Sequence, residues 1–269
     1  MKAITWAATA FLVLVTAVSL LADMVAPVPY AEQFRAAISA PPSSRFLLGT
    51  DELGRDRFSR LLHGTRVSLV LAPAAALLSM LIAAVLGGAA GYLGGRWERS
   101  FVVLTDVFLS LPWLFLLLTV RALLPLNVAP LVSVGITFLL LGCLGWASPA
   151  RVIRAGTRNL VKADYLVQAR ASGEGGWRLF CLHVLPNIRP ILYAQFWVSI
   201  PVFILSEANL SLLGLGVAEP LPSWGTMLLE LENYQAVLRS PWMLVPVVLL
   251  VLLMSSFQIV LRTREVHAA

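Results

Sequence analysis

Residues 67–93 read VSLVLAPAAALLSMLIAAVLGGAAGYL, 27 positions without one charged side chain. A lipid core about 30 Å thick is crossed by roughly 20 residues of helix rising about 1.5 Å each, so this run is long enough to span a bilayer. Inside hydrocarbon every backbone N–H and C=O must be paired within the segment, and a helix does this where an open strand cannot. Outward from it, five more stretches have the same character: 4–22, 101–120, 123–147, 191–213 and 242–261. The stretches 101–120 and 123–147 are separated only by a tight turn region at Pro125-Leu126-Asn127. The fold class expected is therefore all-α and integral to a membrane, with six transmembrane helices.

Composition agrees with that reading. The chain has 269 residues, 59% hydrophobic and 13% charged, where a soluble domain carries roughly half apolar and one quarter charged residues. A soluble fold cannot hide so much apolar surface. The first stretch follows Lys2 and has no clear small-x-small site before Asp23, so it is expected to be a retained signal anchor rather than a cleaved signal peptide. With the N-terminus inside, Lys and Arg are about twice as frequent on the inner side as on the outer, as the positive-inside rule requires. The net charge of +6 then reports topology, and nothing further supports a nucleic-acid partner. The segments expected are an N-terminal transmembrane helix at 1–26, an external segment at 27–65 and a membrane domain at 66–269. Within the last, 150–190 forms a basic inner loop interrupted by Gly173, Gly175 and Gly176.

Several chemistries are excluded by what the chain lacks. Cys143 and Cys181 are isolated, in no CxxC or Cys/His spacing, and read as free thiols with no metal site. His63, His183 and His267 all fall outside the apolar blocks, so no Ser/His dyad is placed within the bundle and no catalytic residue is assigned. No Gly-x-x-x-x-Gly-Lys-Ser/Thr loop is present. Three ionisable residues do lie in or beside apolar blocks, where a charge is costly. Arg121 is expected to snorkel to the outer interface, and Asp106 to pair with a base or bond a neighbouring helix. Glu207 stands in a polar stretch with Ser206, Asn209 and Ser211, and shares a helix face with Ser211 at i and i+4. That face, with Asn209, either lines a pathway or bonds neighbouring helices, and the sequence leaves both open.

A family resemblance then gathers these features. Leu48-Gly49-Thr50-Asp51-Glu52-Leu53-Gly54-Arg55-Asp56 leads into Ser59-Arg60-Leu61 and Gly64-Thr65-Arg66-Val67-Ser68-Leu69. Further on come Ala90-Gly91-Tyr92-Leu93-Gly94-Gly95, then Leu213-Gly214-Leu215-Gly216-Val217, then Pro222-Ser223-Trp224-Gly225. In this order they resemble the C-type permease subunits of dipeptide, oligopeptide and nickel ABC importers, over almost the whole chain. The resemblance implies a type I importer permease with a cytoplasmic coupling helix, in a bacterial inner membrane. It places that helix at Val167-Gln168-Ala169, with Gly173, Arg178 and the end Leu185-Pro186. Val167 and Gln168 replace the Glu and first Ala of the family's E-A-A pattern. Implied partners are a second homologous permease, two cytosolic ATPases carrying ATP and Mg, and an external solute-binding protein. This chain itself would hold no cofactor and catalyse no reaction. A membrane scaffold or receptor, or an intramembrane enzyme, are the alternatives. Gly173 would let the coupling segment turn or approach its partner closely; the plainer alternative is that it ends a helix as a C-cap.

Overall fold

The computed structural model describes residues 2–125 and 128–268, with side chains through Arg262. Leu126 and Asn127 of the expected turn, and the side chain of His267, lie outside the described residues. In chain order the helices are α1 (Lys2–Leu20), α2 (Ala22–Val25), α3 (Arg57–Leu93), α4 (Gly95–Ser110) and α5 (Trp113–Leu123). They continue as α6 (Pro130–Leu144), α7 (Ala147–Val161), α8 (Asp164–Ala171) and α9 (Gly176–Leu179). A π-helical turn at Phe180–Val184 runs into α10 (Leu185–Leu212), followed by α11 (Trp224–Leu229), α12 (Tyr234–Arg239) and α13 (Val245–Ala268). Among the described residues, five stretches are long and apolar enough to cross a membrane: Lys2–Leu20, Arg57–Leu93, Pro130–Val161, Gly176–Leu212 and Pro241–Arg262.

The helix expected at 101–120 is not one rod. Residues 101–120 divide between α4 and α5, which meet at an angle of 84°. The cause is local: a residue before proline is pushed out of the helical region, and Leu111, before Pro112, is extended at φ −78°, ψ 130°. The pair counts as one span only if both arms are taken together. The segment 27–56 contains no helix among its residues, and α3 starts at Arg57, earlier than the apolar run and across the boundary drawn at 65/66.

The chain divides into two compact units. The first comprises Met1–Ala72, Val120–Phe138 and Pro201–Ala269. Here α1 packs along α13 while leaving Ile4, Trp6, Val13 and Leu14 exposed, as a helix facing lipid would. Asp56 starts α3 by accepting the Ser59 N–H at 2.8 Å, which satisfies one of the donors that a helix start leaves free. Ser223 and Thr226 cap α11 reciprocally.

The second unit comprises Pro73–Thr119 and Leu139–Ile200. Its core joins Met80, Ala83 and Ala90 of α3 to Ala150 and Ile153 of α7, with Leu166, Leu179, Val184 and Ile188 beneath the glycine-rich loop. Two glycines four apart bring the backbones together. A Cβ at Gly87 would collide with the Ala150 carbonyl, and one at Gly91 with the Arg154 carbonyl and the Thr157 side chain. Helices in lipid gain little from the hydrophobic effect, so association rests on close packing that small residues permit.

Candidate functional site

Helix α8 sits on one buried residue, Leu166, and turns the rest of its surface outward. Val167 is 55% exposed, Tyr165 is also exposed, and so are Gln168 and Arg170; Ala169 is half-buried. The helix ends in a Schellman arrangement: the Gly173 N–H bonds the Arg170 carbonyl at 3.2 Å and the Glu174 N–H bonds the Ala169 carbonyl at 3.3 Å. This requires a left-handed residue, and Gly173 has φ +86° with nothing within 4 Å of where a Cβ would stand. Gly173 therefore caps α8, and no close approach within the chain demands it.

The chain then returns through α9, where Leu179 is buried while Arg178 and Trp177 project. Trp177 is 78% exposed and, among the described residues, stacks only on Phe180, at a centroid distance of 6.2 Å. The Tyr92 hydroxyl donates to the Gly176 carbonyl at 2.6 Å, and His183 meets Glu174 at 3.0 Å, so the loop is braced from two directions. Leu185 and Pro186 open α10 and are half-buried. Thus Val167, Gln168, Gly173 and Arg178 present a surface, while Leu185 and Pro186 support it. Sequence reasoning missed Trp177 as its most prominent member. The available signal was a tryptophan placed directly after Gly175-Gly176 in a basic loop.

In the first unit, the residues that open the family resemblance build a compact cap. Asp51 accepts the N–H groups of Leu53 and Arg55 at 2.9 and 2.8 Å and pairs with the Arg55 guanidinium at 2.7 Å. Arg55 and Arg60 both reach Glu219, far along the chain, with Arg60 at 3.1 Å. Gly54, at φ +76°, turns against the Phe34 carbonyl. Arg57 is paired with Glu230 and also donates to the Thr50 carbonyl at 3.0 Å, so it is not free for an outside partner. Burial pushes the Glu230 carboxyl above the usual glutamate range, against the pull of Arg57 and Arg60. An acid whose folded pKa is raised binds more protons folded than unfolded, so stability rises as pH falls toward 4.5, the ordinary value. The melting temperature of the chain is therefore expected to gain on that of Glu230→Gln between pH 7 and 4.5 and to stop gaining below. A pH-independent difference in a thermal unfolding series would refute this.

Glu207 is fully buried. The Ser211 hydroxyl donates to its Oε1 at 2.7 Å and lies 3.4 Å from the Ser223 hydroxyl. Gly216 and Gly225 pack so closely that a Cβ on either would collide with Ser211. Glu207 and Ser211 thus fasten α10 to the segment that folds back to α11. Asn209 is exposed and stands apart from this network. Arg121 departs from expectation: instead of snorkelling, it is buried, donating to the Pro125 carbonyl at 3.2 Å and the Ser133 hydroxyl at 3.1 Å. Ser133 in turn bonds the Gly216 carbonyl at 3.3 Å. Protein acceptors here replace the headgroups the guanidinium would otherwise seek. Asp106 does pair with a base, Arg151. Among the described residues no cluster of His, Cys, Asp and Glu could hold a metal.

A family model described as "Binding-protein-dependent transport system inner membrane component" matches residues 70–264. The chain is 37% identical over 231 residues to the di/tripeptide transport system permease protein DppC of Pseudomonas aeruginosa (strain UCBPP-PA14), covering 83% of this chain and 74% of that one. It is 31% identical over 234 residues to the oligopeptide transport system permease protein OppC of Bacillus subtilis (strain 168), covering 87% and 74%. To the nickel transport system permease protein NikC of Escherichia coli (strain K12) it is 33% identical over 195 residues, covering 72% and 68%.

Proposed function

We propose, from the fact that this chain belongs to the binding-protein-dependent transport system inner membrane components, that it is the permease subunit of an ATP-driven importer of peptides or a related small solute. It is a transport subunit and not an enzyme. Its multiple apolar helices place it in the membrane as a multi-pass protein, and in this reading the N-terminus is inside. Helices α8 and α9 then face the cytosol and dock in separate ATPase subunits, which bind ATP and Mg. A second, homologous permease completes the pathway, and an external binding protein delivers the solute.

The observation that carries the coupling half of this reading is the surface around α8 and α9. Tyr165, Val167 and Trp177 are exposed, while their neighbours Leu166 and Leu179 are locked in the core. A segment held so firmly on one side can transmit displacement as a rigid body, and its apolar outer side suits burial against a protein. The Glu expected at position 167 by the family pattern is a valine here, so docking at that point is apolar rather than ionic. Glu207 and Ser211 act as fasteners, and Asn209 is the member of that stretch presented outward to a pathway.

The test is reconstitution. Co-expressed with a homologous permease, ATPases and a binding protein of such a system, the chain is expected to co-purify with the ATPases. In vesicles it should accumulate a di- or tripeptide, an oligopeptide or nickel only with ATP and binding protein. A scaffold or an intramembrane enzyme would give assembly without accumulation. That result would remove the transport reading.

A further inference from the structure

Helices α3 and α4 are joined through a single residue, Gly94, at φ +64°. Both flanks of this turn are apolar and open: Leu93 is exposed and Trp97 is 71% exposed. About two to three turns further along, α4 exposes Val103, Leu104 and Val107. At 100° per residue, Arg96 falls between Val103 and Val107 around the helix, and Trp97 falls beside Leu104. Arg96 and Trp97 therefore end the same face that carries the exposed apolar side chains, about 10 Å along the axis from Val103. A cation and a tryptophan at that position lie where hydrocarbon gives way to headgroups.

The charges at the turn are not balanced by the protein. Glu98, the acid of the first turn of α4, is largely buried and held by both Arg154 and Arg158 of α7. Arg158 nonetheless stays 43% exposed, and its Nη1 is 3.8 Å from where a Cβ on Gly94 would stand. Arg96 and Arg99, one turn apart and exposed, have no ion-pair or hydrogen-bond partner among the described residues. Elsewhere in this unit, Arg151 of α7 is matched by Asp106. Two arginines bound to one carboxylate and two bound to none leave an excess of three positive charges around a turn that is flanked by lipid-facing side chains.

We infer that the α3–α4 turn is a binding site for the phosphate of an anionic phospholipid, with Arg96 and Arg99 as its direct contacts, Arg158 behind them, and Leu93 and Trp97 against the upper acyl chains. Guanidinium groups bind phosphate oxygens through paired N–H donors, which suits them to this better than lysines. The occupant is a lipid rather than a dissolved anion because the exposed neighbours of the arginines are apolar. The site depends on the helices facing lipid and not on which solute the chain carries.

The experiment uses the full chain, extracted from membranes and placed in nanodiscs of phosphatidylcholine with 30% phosphatidylglycerol, and counts retained lipids by native mass spectrometry. The wild type is expected to enrich phosphatidylglycerol over its share of the bilayer. R96Q/R99Q should weaken the affinity for phosphatidylglycerol roughly 25-fold, about fivefold for each surface charge removed, and so return its retained share to that of the bilayer. Neither arginine has a partner among the described residues, so the variant should unfold at the same temperature in phosphatidylcholine alone. K162Q/R170Q removes equal charge from the neighbouring loop and should retain the enrichment. An equal loss in both double variants would reduce the effect to bulk charge and overturn the site. Retained enrichment in R96Q/R99Q would do the same. Displacement of phosphatidylglycerol by millimolar inorganic phosphate would overturn the lipid assignment in favour of a small-anion site.

Discussion

Trp177→Ala is expected to strip the ATPase from the permease while leaving the permease inserted. A solvent-exposed tryptophan that stacks on only one neighbour contributes little to its own fold, so truncating it costs little there. At a protein interface the same residue type is the commonest energetic anchor, with losses of about 2 kcal/mol or more, or at least roughly 30-fold in affinity. The measurement is the ATPase retained per permease after purification, beside solute moved per ATP in vesicles. Trp177→Phe should recover part of both. Full retention in the alanine variant would take Trp177 out of the interface and leave α8 to carry docking alone. Gly173, by contrast, now has an explanation internal to the helix. A β-branched residue there opposes the backbone conformation and frays the end of α8, so loss of coupling in such a variant would not distinguish contact from capping.

The second large effect is in the cap of the first unit. Asp51 is almost completely buried and holds two backbone N–H groups and the Arg55 guanidinium, with Arg60 3.7 Å away. Asp51→Ala leaves two arginines sharing Glu219 alone and two amides without their acceptor. Removing one partner from a buried ionic network costs about 3–5 kcal/mol, because the remaining charge stays buried and unpaired. The melting temperature in detergent is expected to fall on the order of 10 °C, with less assembled complex recovered. Asp51→Asn keeps one acceptor for the amides and should fall between the two. An unchanged melting temperature for the alanine variant would show that the cap is not held by this network.

The parts of the fold that the sequence revealed are those that depend on neighbours in the chain. The run at 67–93 declares a spanning helix because length and apolarity are local, and Gly173 could be read as a cap because a helix end is made within six residues. The break at Leu111-Pro112 was visible as a proline, but composition carries no direction, and both arms scored as one apolar stretch. Pairings across the chain were out of reach. Nothing near Arg55 or Arg57 points to Glu219 or Glu230, 164 and 173 residues away. Arg121 was misjudged for the same reason: the alternative to snorkelling is an acceptor such as Ser133, which only the folded chain supplies.

The close fit of Ser211 among Glu207, Ser223, Gly216 and Gly225 also bears on how the chain is made. Helix α10 leaves the ribosome before the segment that completes its polar network. At about 5–20 residues per second, the 12 residues separating Ser211 from Ser223 take on the order of a second to synthesise. Until then Glu207 travels with one hydroxyl as its partner, in a helix that must already be seeking lipid. The return of residues 213–225 is what completes the polar surroundings of the Glu207 carboxyl.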